Sequence, residues 1–113
     1  MHFRLQLAVL VLGATLAGSA VARQPISEET LEASGSMLSM PAAADGVLVV
    51  YMCASCKPMS LRANATTQYF FNHTPVTLKE MTDYVRAHGD AFAGVNYDTK
   101  TLALKRIRVS VPK

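Results

Sequence analysis

The segment from Leu61 to Phe71 alternates between apolar or small side chains and polar ones over most of its length. A period of two residues is typical of a β-strand with one buried face, and it argues against a helix over these residues. The predicted buried face holds Leu61, Ala63, Ala65, Thr67, Tyr69 and Phe71. Because the segment begins soon after Cys56, strand structure is predicted to follow the Cys53-Ala-Ser-Cys56 motif directly.

The run Val47–Met52, which precedes this motif, is continuously apolar and rich in β-branched residues. Such a run predicts a strand buried on both faces, or nearly so. Only a short turn containing Cys53, Cys56 and Pro58 separates it from the alternating strand. We therefore expect the two strands to form an antiparallel pair with the cysteines at its tip.

The clearest local signal in the chain is a helix start at Thr77. Thr77 and Glu80 have the spacing of a capping box, in which each side chain accepts a hydrogen bond from the main-chain N–H group of the other residue. Apolar residues then recur at helical spacing. Gly89 is predicted to end the helix in a left-handed conformation, which gives bounds of Leu78 to His88.

Two further strands are predicted after the helix, Ala91–Tyr97 and Thr101–Val109, joined by a hairpin turn. The predicted order is β-β-α-β-β over residues 46–113. The corresponding fold class is α+β, a small, mostly antiparallel sheet with one helix packed on one face.

The N-terminus has the features of a secretory signal peptide. Arg4 precedes an apolar stretch from Leu5 to Ala22 that ends in small residues. We predict a signal peptide at residues 1–22, with retention as a membrane anchor as the alternative. Residues 23–45, which are acidic and rich in turn-forming residues, are predicted to be a flexible leader. The Ala-rich signal is typical of bacteria, so the expected location is periplasmic or secreted, with no membrane partner after cleavage.

The formal net charge of +3 is modest for a chain of 113 residues. A nucleic-acid-binding protein ordinarily carries a concentrated basic surface, which this sequence lacks, so we predict no nucleic-acid partner. The sequence has neither a Gly-rich phosphate loop nor a convincing Ser/His/Asp set. These features favour a non-catalytic protein without a cofactor.

In an exported protein the default state of Cys53 and Cys56 is a structural disulfide. The first alternative is thiol–disulfide exchange, because an apolar strand followed by Cys-x-x-Cys resembles the active site of thioredoxins. In such sites the first cysteine is a thiolate stabilised by the N-terminus of a helix. The strand predicted from Leu61 departs from that pattern.

The second alternative for the same segment is a copper(I) site. Four sulfur atoms lie close together in the sequence, and thiolate and thioether ligands suit copper(I). They belong to Met52, Cys53, Cys56 and Met59. Met52 is also explained as a core residue at the end of its strand, so both interpretations stay open.

Two arginines, Arg106 and Arg108, fall on one face of the last predicted strand, and Arg62 joins them if its strand is a neighbour. Such a group is typical of a solvated sheet face that discourages edge pairing. The functional interpretation is a patch that binds anions or an acidic partner.

Residues 60–98 resemble part of the periplasmic domain of the ExbD/TolR energy-coupling family. The matching features are a strand ending in Gln68-Tyr-Phe-Phe-Asn72, the segment Thr74-Pro-Val-Thr-Leu-Lys-Glu-Met81, a short helix and a strand ending at Asp98. The resemblance implies a similar local fold and a periplasmic location. It does not extend to proton coupling, because that family keeps an N-terminal helix with a functional Asp and Leu5–Ala22 has no acidic residue.

Together these features predict a small exported, non-catalytic binding protein with a C-x-x-C disulfide turn. The expected partner is a protein or small ligand held at the sheet face or at the cysteine turn. A dimer is compatible with a sheet face that no helix covers. Periplasmic thiol redox chemistry or copper(I) handling through Cys53 and Cys56 is the alternative function.

Overall fold

The computed structural model describes residues 27–113. The predicted signal peptide, its cleavage position and the first residues of the predicted leader lie outside this range. Within the range, no helix has the length and apolarity needed to cross a bilayer.

The described chain forms a small α+β fold with eight strands and one α-helix. In chain order the elements are β1 (Glu28–Ser34), a 3-10 turn (Gly35–Met37), β2 (Leu38–Ser39), β3 (Val47–Val50), β4 (Met59–Arg62), β5 (Gln68–Phe71), β6 (Thr74–Val76), α1 (Leu78–Ala87), β7 (Phe92–Asp98) and β8 (Leu104–Val109). The predicted fold class is therefore present in its general form.

The strands are arranged in two sheets, one of five strands in the order β1-β7-β8-β5-β6 and one of three strands in the order β2-β3-β4. All neighbouring pairs are antiparallel except β5 and β8, which are parallel. The predicted order β-β-α-β-β is wrong, because it lacks β1, β2 and β6 and the division into two sheets. Both predicted hairpins are present, since β3 pairs with β4 and β7 pairs with β8.

Strand β1 lies in the segment for which the sequence predicts a flexible leader. It pairs with β7 along its whole length and forms an edge of the five-stranded sheet. Leu31 and Ala33 pack against the core from this strand, and Ala33 is buried. The segment looks polar in composition because most of its other side chains are exposed. The residues of its partner β7 are 58 to 70 positions away in the sequence, so composition alone does not reveal the pairing.

The predicted strand from Leu61 to Phe71 is divided into β4 and β5 by a loop at Asn64. The Oδ1 atom of Asn64 accepts hydrogen bonds from the N–H and the hydroxyl of Thr66, at 2.8 and 2.6 Å. Local bonds of this kind compete with pairing in a sheet. The Thr67 hydroxyl donates to the carbonyl of Leu104 at 2.9 Å, which fixes the loop to β8.

The capping box of α1 is confirmed. The N–H of Glu80 donates to Thr77 Oγ1 at 3.1 Å, and the N–H of Thr77 donates to Glu80 Oε1 at 2.8 Å. The predicted left-handed conformation of Gly89 is wrong, because none of the described glycines has a positive φ. Gly89 instead lies against Ser36, whose N–H donates to the Gly89 carbonyl at 2.8 Å.

One hydrophobic core joins α1 to the inner faces of both sheets. Met81 and Val85 of the helix are buried. They share the core with Leu48, Val50 and Leu61 of the three-stranded sheet and with Val95, Ile107 and Val109 of the five-stranded sheet. The burial predicted for β3, on both faces or nearly so, is incomplete, because Leu48 and Val50 are buried whereas Val47 is 43% exposed.

Candidate functional site

A broad concavity of the described chain is a groove between α1 and the segment that contains β2. It has a volume of about 1020 Å³ and is open to solvent. One wall is the helix from Leu78 to Arg86, and the other is the chain from Leu38 to Ala42. We call this feature the helix groove. Its residues are far apart in the sequence, and the sequence analysis did not identify it.

The helix groove is closed at the C-terminal end of α1. There Gly35 donates its N–H to the carbonyl of Ala91 at 2.9 Å, and Ser36 donates to Gly89 at 2.8 Å. A Cβ atom on Gly35 would lie 2.8 Å from the carbonyl oxygen of His88, which is too close for any side chain. A glycine is therefore required where the 3-10 turn meets the end of the helix.

Strand β2 borders the helix groove, and no described strand pairs with its edge away from β3. On its other side β2 pairs with β3, with Ser39 opposite Val49 and with the N–H of Tyr51 donating to the carbonyl of Met37 at 2.8 Å. Main-chain groups of an antiparallel strand point alternately to its two sides. The Leu38 carbonyl and the Met40 N–H therefore point away from β3, and this N–H has no hydrogen-bond partner among residues 27–113.

The walls of the helix groove combine apolar and charged groups. Leu38, Pro41 and Val85 are buried residues that line it. On the helix, Lys79 and Asp83 form an ion pair at 2.9 Å, and the hydrogen bond from Lys79 lowers the pKa of Asp83. Arg86, one turn further along, forms no ion pair with any described residue. The helix wall therefore offers one uncompensated positive charge.

The predicted Cys53–Cys56 disulfide is present at the tip of the β3–β4 hairpin. The Cα atoms are 5.0 Å apart, and the N–H of Cys56 donates to the carbonyl of Cys53 at 3.2 Å. Both cysteines are exposed. The chain after Cys56 leads into β4, so no helix N-terminus lies behind the pair as it does in thioredoxin-type sites. A disulfide is compatible with an oxidising compartment outside the cytosol.

The two methionines of the copper hypothesis have different surroundings. Met52 is 39% exposed beside the cysteine turn, whereas Met59 is partly buried against the core. Binding of copper(I) by all four sulfur atoms would require reduction of the Cys53–Cys56 bond. Tyr51 is 49% exposed and also lines the helix groove, so the cysteine turn lies next to that groove.

The predicted arginine patch is divided by the structure. Arg106 and Arg108 line a second, smaller concavity of about 230 Å³ on the outer face of the five-stranded sheet. Arg62 does not line it, because β4 belongs to the other sheet, where Arg62 forms a bridge to Ala103, the residue before β8. We call this concavity the sheet notch. It also contains Gly94 and Asn96, which the sequence analysis did not single out.

Comparison with known proteins assigns neither a family nor a function to this chain. The chain matches no protein-family model, no curated protein and no solved structure. Function is therefore inferred from the geometry of the helix groove, the cysteine turn and the sheet notch.

Proposed function

We propose that this protein is an exported, non-catalytic binding protein that holds an extended polypeptide segment in the helix groove. The segment adds a strand to the open edge of β2 and lies alongside α1. The observation that carries this proposal is the edge of β2 away from β3, with which no described strand pairs and where the Met40 N–H has no hydrogen-bond partner among residues 27–113. Strand addition to a sheet edge is a common way of recognising peptides.

The dimensions of the helix groove support a peptide rather than a small metabolite. Small-molecule pockets have volumes of about 300–1,000 Å³ and enclose most of their ligand. The helix groove, at about 1020 Å³, is slightly larger than that range and is open to solvent. An added strand would lie about 4.8 Å from β2, with alternate side chains pointing into the apolar part of the groove. Leu38 and Val85 would contact those side chains.

The charge of the helix wall favours an acidic or C-terminal residue in the bound segment. Lys79 is already paired with Asp83, so Arg86 is the cation available to a ligand carboxylate among the groove residues. Arginine can bind a carboxylate through two parallel hydrogen bonds. The expected occupant is thus an extended segment that carries alternating apolar residues and one carboxylate near Arg86.

The groove chemistry supports binding rather than catalysis. Asp83 is the carboxylate that lines the groove, and the bond from Lys79 lowers its pKa. A carboxylate held in its charged form at neutral pH is poorly suited to act as a general acid. The groove residues include neither a histidine nor a cysteine.

The experiment is a selection of random decapeptides on the exported protein, followed by titration of the enriched peptides. Replacing the peptide N–H groups that face β2 with N-methyl groups should weaken binding by about ten-fold or more, because each removes a main-chain hydrogen bond. Thr82→Trp fills the helix groove and should abolish binding. Ala87→Trp, on an exposed part of the same helix outside the groove, is the matched control and should leave binding unchanged.

Two results would contradict the proposal. One is a selection that enriches no peptide. The other is a set of enriched peptides whose affinity is insensitive to both N-methylation and Thr82→Trp, since those peptides must bind elsewhere.

Thiol–disulfide exchange is the second candidate function, and the exposure of Cys53 and Cys56 supports it. An exposed disulfide is open to attack by a thiolate of a partner protein. This candidate predicts turnover with a generic disulfide substrate that Cys53→Ser abolishes. It further predicts that the reduced pair has a thiol pKa well below that of a free cysteine. The related copper(I) hypothesis instead predicts that the reduced pair binds copper(I) tightly in a 1:1 ratio. Failure of all three measurements would dismiss both hypotheses.

A further inference from the structure

The sheet notch is an opening over a glycine, which has no side chain, on a sheet face where the neighbouring positions carry side chains. In β7, Gly94 is opposite Glu32 of β1 on one side and opposite Arg108 of β8 on the other. Paired residues in a sheet point to the same face, so these two charged side chains flank a position that has no side chain. A Cβ atom on Gly94 would make only an ordinary contact, 3.6 Å from the methyl group of Thr30. The glycine therefore leaves open space rather than relieving a clash.

The charged groups around the sheet notch do not neutralise one another. Arg108 lies over the ring of Phe70 at 5.0 Å instead of forming an ion pair with Glu32. Arg106 is opposite Asn96 and contributes a second guanidinium group to the same concavity. One edge of the notch thus carries a carboxylate, and the other carries two cations.

The floor of the sheet notch contains a buried polar group that lacks a partner. Asn96 is 9% exposed, and its Oδ1 atom has no hydrogen-bond partner among the described residues. Its Nδ2 atom donates to the hydroxyl of Thr30 at 3.1 Å. A buried acceptor without a donor is unfavourable, so a ligand N–H group in the notch would gain more here than at the open surface.

We propose that the sheet notch binds a small zwitterion of the α-amino-acid type. The ligand carboxylate lies between Arg106 and Arg108, and the ligand ammonium group lies between Glu32 and the Oδ1 atom of Asn96. The volume of about 230 Å³ is small, which restricts the ligand to a compact molecule. This site is independent of the helix groove, because the two share no lining residue.

The probe is free L-alanine, titrated into the full chain and followed through the backbone amide signals by NMR. Acetate and methylammonium are titrated in parallel, since each carries one of the two charges. L-alanine should shift the amide signals of β1 and β7 in a saturable way, at millimolar concentrations, and each single-charge probe should bind at least about ten-fold more weakly.

Substitutions inside and outside the notch locate the site and distinguish specific binding there from a general effect of charge. Glu32→Gln and Arg108→Gln should each weaken alanine binding by about five-fold or more, because each removes one partner of a charged ligand group. Gly94→Ala partly fills the notch without a clash and should also weaken alanine binding. Arg62→Gln removes an arginine outside the notch, and Thr82→Trp blocks the helix groove, so both should leave the affinity unchanged.

Three outcomes would overturn the proposal. The first is the absence of saturable shifts in the wild-type protein. The second is binding of acetate as tight as that of L-alanine, which would indicate a simple anion site. The third is full retention of alanine binding in Gly94→Ala and Glu32→Gln, whose folding is verified from the dispersion of their own amide spectra.

Discussion

The side-chain amide of Asn72 forms two hydrogen bonds with the main chain of Val111. Its Nδ2 atom donates to the carbonyl of Val111 at 3.0 Å, and its Oδ1 atom accepts from the N–H of Val111 at 3.0 Å. Asn72 also has a φ of 58°, a left-handed conformation that asparagine tolerates better than most residues. One turn residue thus closes the β5–β6 hairpin and holds the C-terminal segment beside it.

Replacing Asn72 should therefore have two separable effects on the free energy of unfolding. Asn72→Gly keeps the turn conformation but loses both bonds, at a cost of about 1–2 kcal/mol. Asn72→Ala adds the strain of a left-handed alanine and should cost about 1 kcal/mol more. Urea denaturation measures both values, and His73→Ala, at the exposed neighbour in the turn, is the control. Equal stabilities for Asn72→Ala and His73→Ala would contradict this role.

Leu102 is held in a strained conformation that a different residue would relieve. It has a φ of 62° and is 43% exposed, while its N–H and carbonyl groups bond to Asp98 and Arg62 at 2.8 and 3.0 Å. Leu102→Gly should raise the unfolding free energy by about 1 kcal/mol, or the melting temperature by about 4–8 °C. Leu102→Ala, which keeps the strain, should change little. A destabilised Leu102→Gly variant would show that the exposed side chain matters more than the strain.

Gly35 should tolerate no side chain, because a Cβ atom there would lie 2.8 Å from the carbonyl oxygen of His88. Gly35→Ala should destabilise the protein by about 1–3 kcal/mol, since main-chain atoms must move to make room. It should also weaken peptide binding in the helix groove, whose closed end is displaced. Gly94→Ala is the matched control for stability and should be neutral or slightly stabilising, because its Cβ atom is unobstructed. A fully stable Gly35→Ala variant would contradict the close approach of the 3-10 turn and α1.

The Cys53–Cys56 disulfide should contribute only modestly to stability. It closes a loop with a sequence separation of 3, and a loop this short restricts the unfolded chain by about 2 kcal/mol or less. Replacing both cysteines with serine should lower the denaturation midpoint slightly and leave the amide spectrum of β7 and β8 unchanged. The wild-type protein under reducing conditions should behave in the same way. Complete unfolding of the double variant would indicate that the turn organises the β3–β4 hairpin and not merely its tip.

Asp98 should make the stability of the protein sensitive to acid. The N–H groups of Thr101 and Lys100 donate to its Oδ1 atom at 3.0 and 2.8 Å, and these bonds lower its pKa below the ordinary 3.8. A carboxylate with a lowered pKa in the folded state stabilises the protein at pH values above its unfolded pKa. That contribution is lost as the pH falls through the folded pKa.

The corresponding test compares Asp98→Asn with the wild type by urea denaturation between about pH 7 and pH 2. The variant should be less stable at neutral pH, and the difference should shrink below about pH 4, where the wild-type carboxyl group becomes protonated. Asp90→Asn, at another exposed aspartate, is the control. A stability difference that does not change with pH would contradict the role of the ionised Asp98 carboxylate.

The sequence predictions are correct where the interacting residues are close together in the sequence, and they fail where those residues are far apart. The capping box of α1 depends on Thr77 and Glu80, which are neighbours on one helical turn, and it is present as predicted. The β3–β4 hairpin and its disulfide depend on residues within one short turn and are likewise present. Gly89 shows the limit of local rules. Its conformation is set by contact with Ser36 from a distant segment and not by the helix end itself.

The sequence by itself determined the fold class, the main helix, two hairpins and the position of the disulfide, because each depends on periodicity or on groups a few residues apart. Only the tertiary structure decided that β1 joins the sheet, that β8 lies between β7 and β5, and that β2 and α1 border one groove. Those features depend on main-chain pairing between remote segments, and any segment with one apolar face can pair with several others. The common core selects among these pairings, and it thereby forms both the helix groove and the sheet notch.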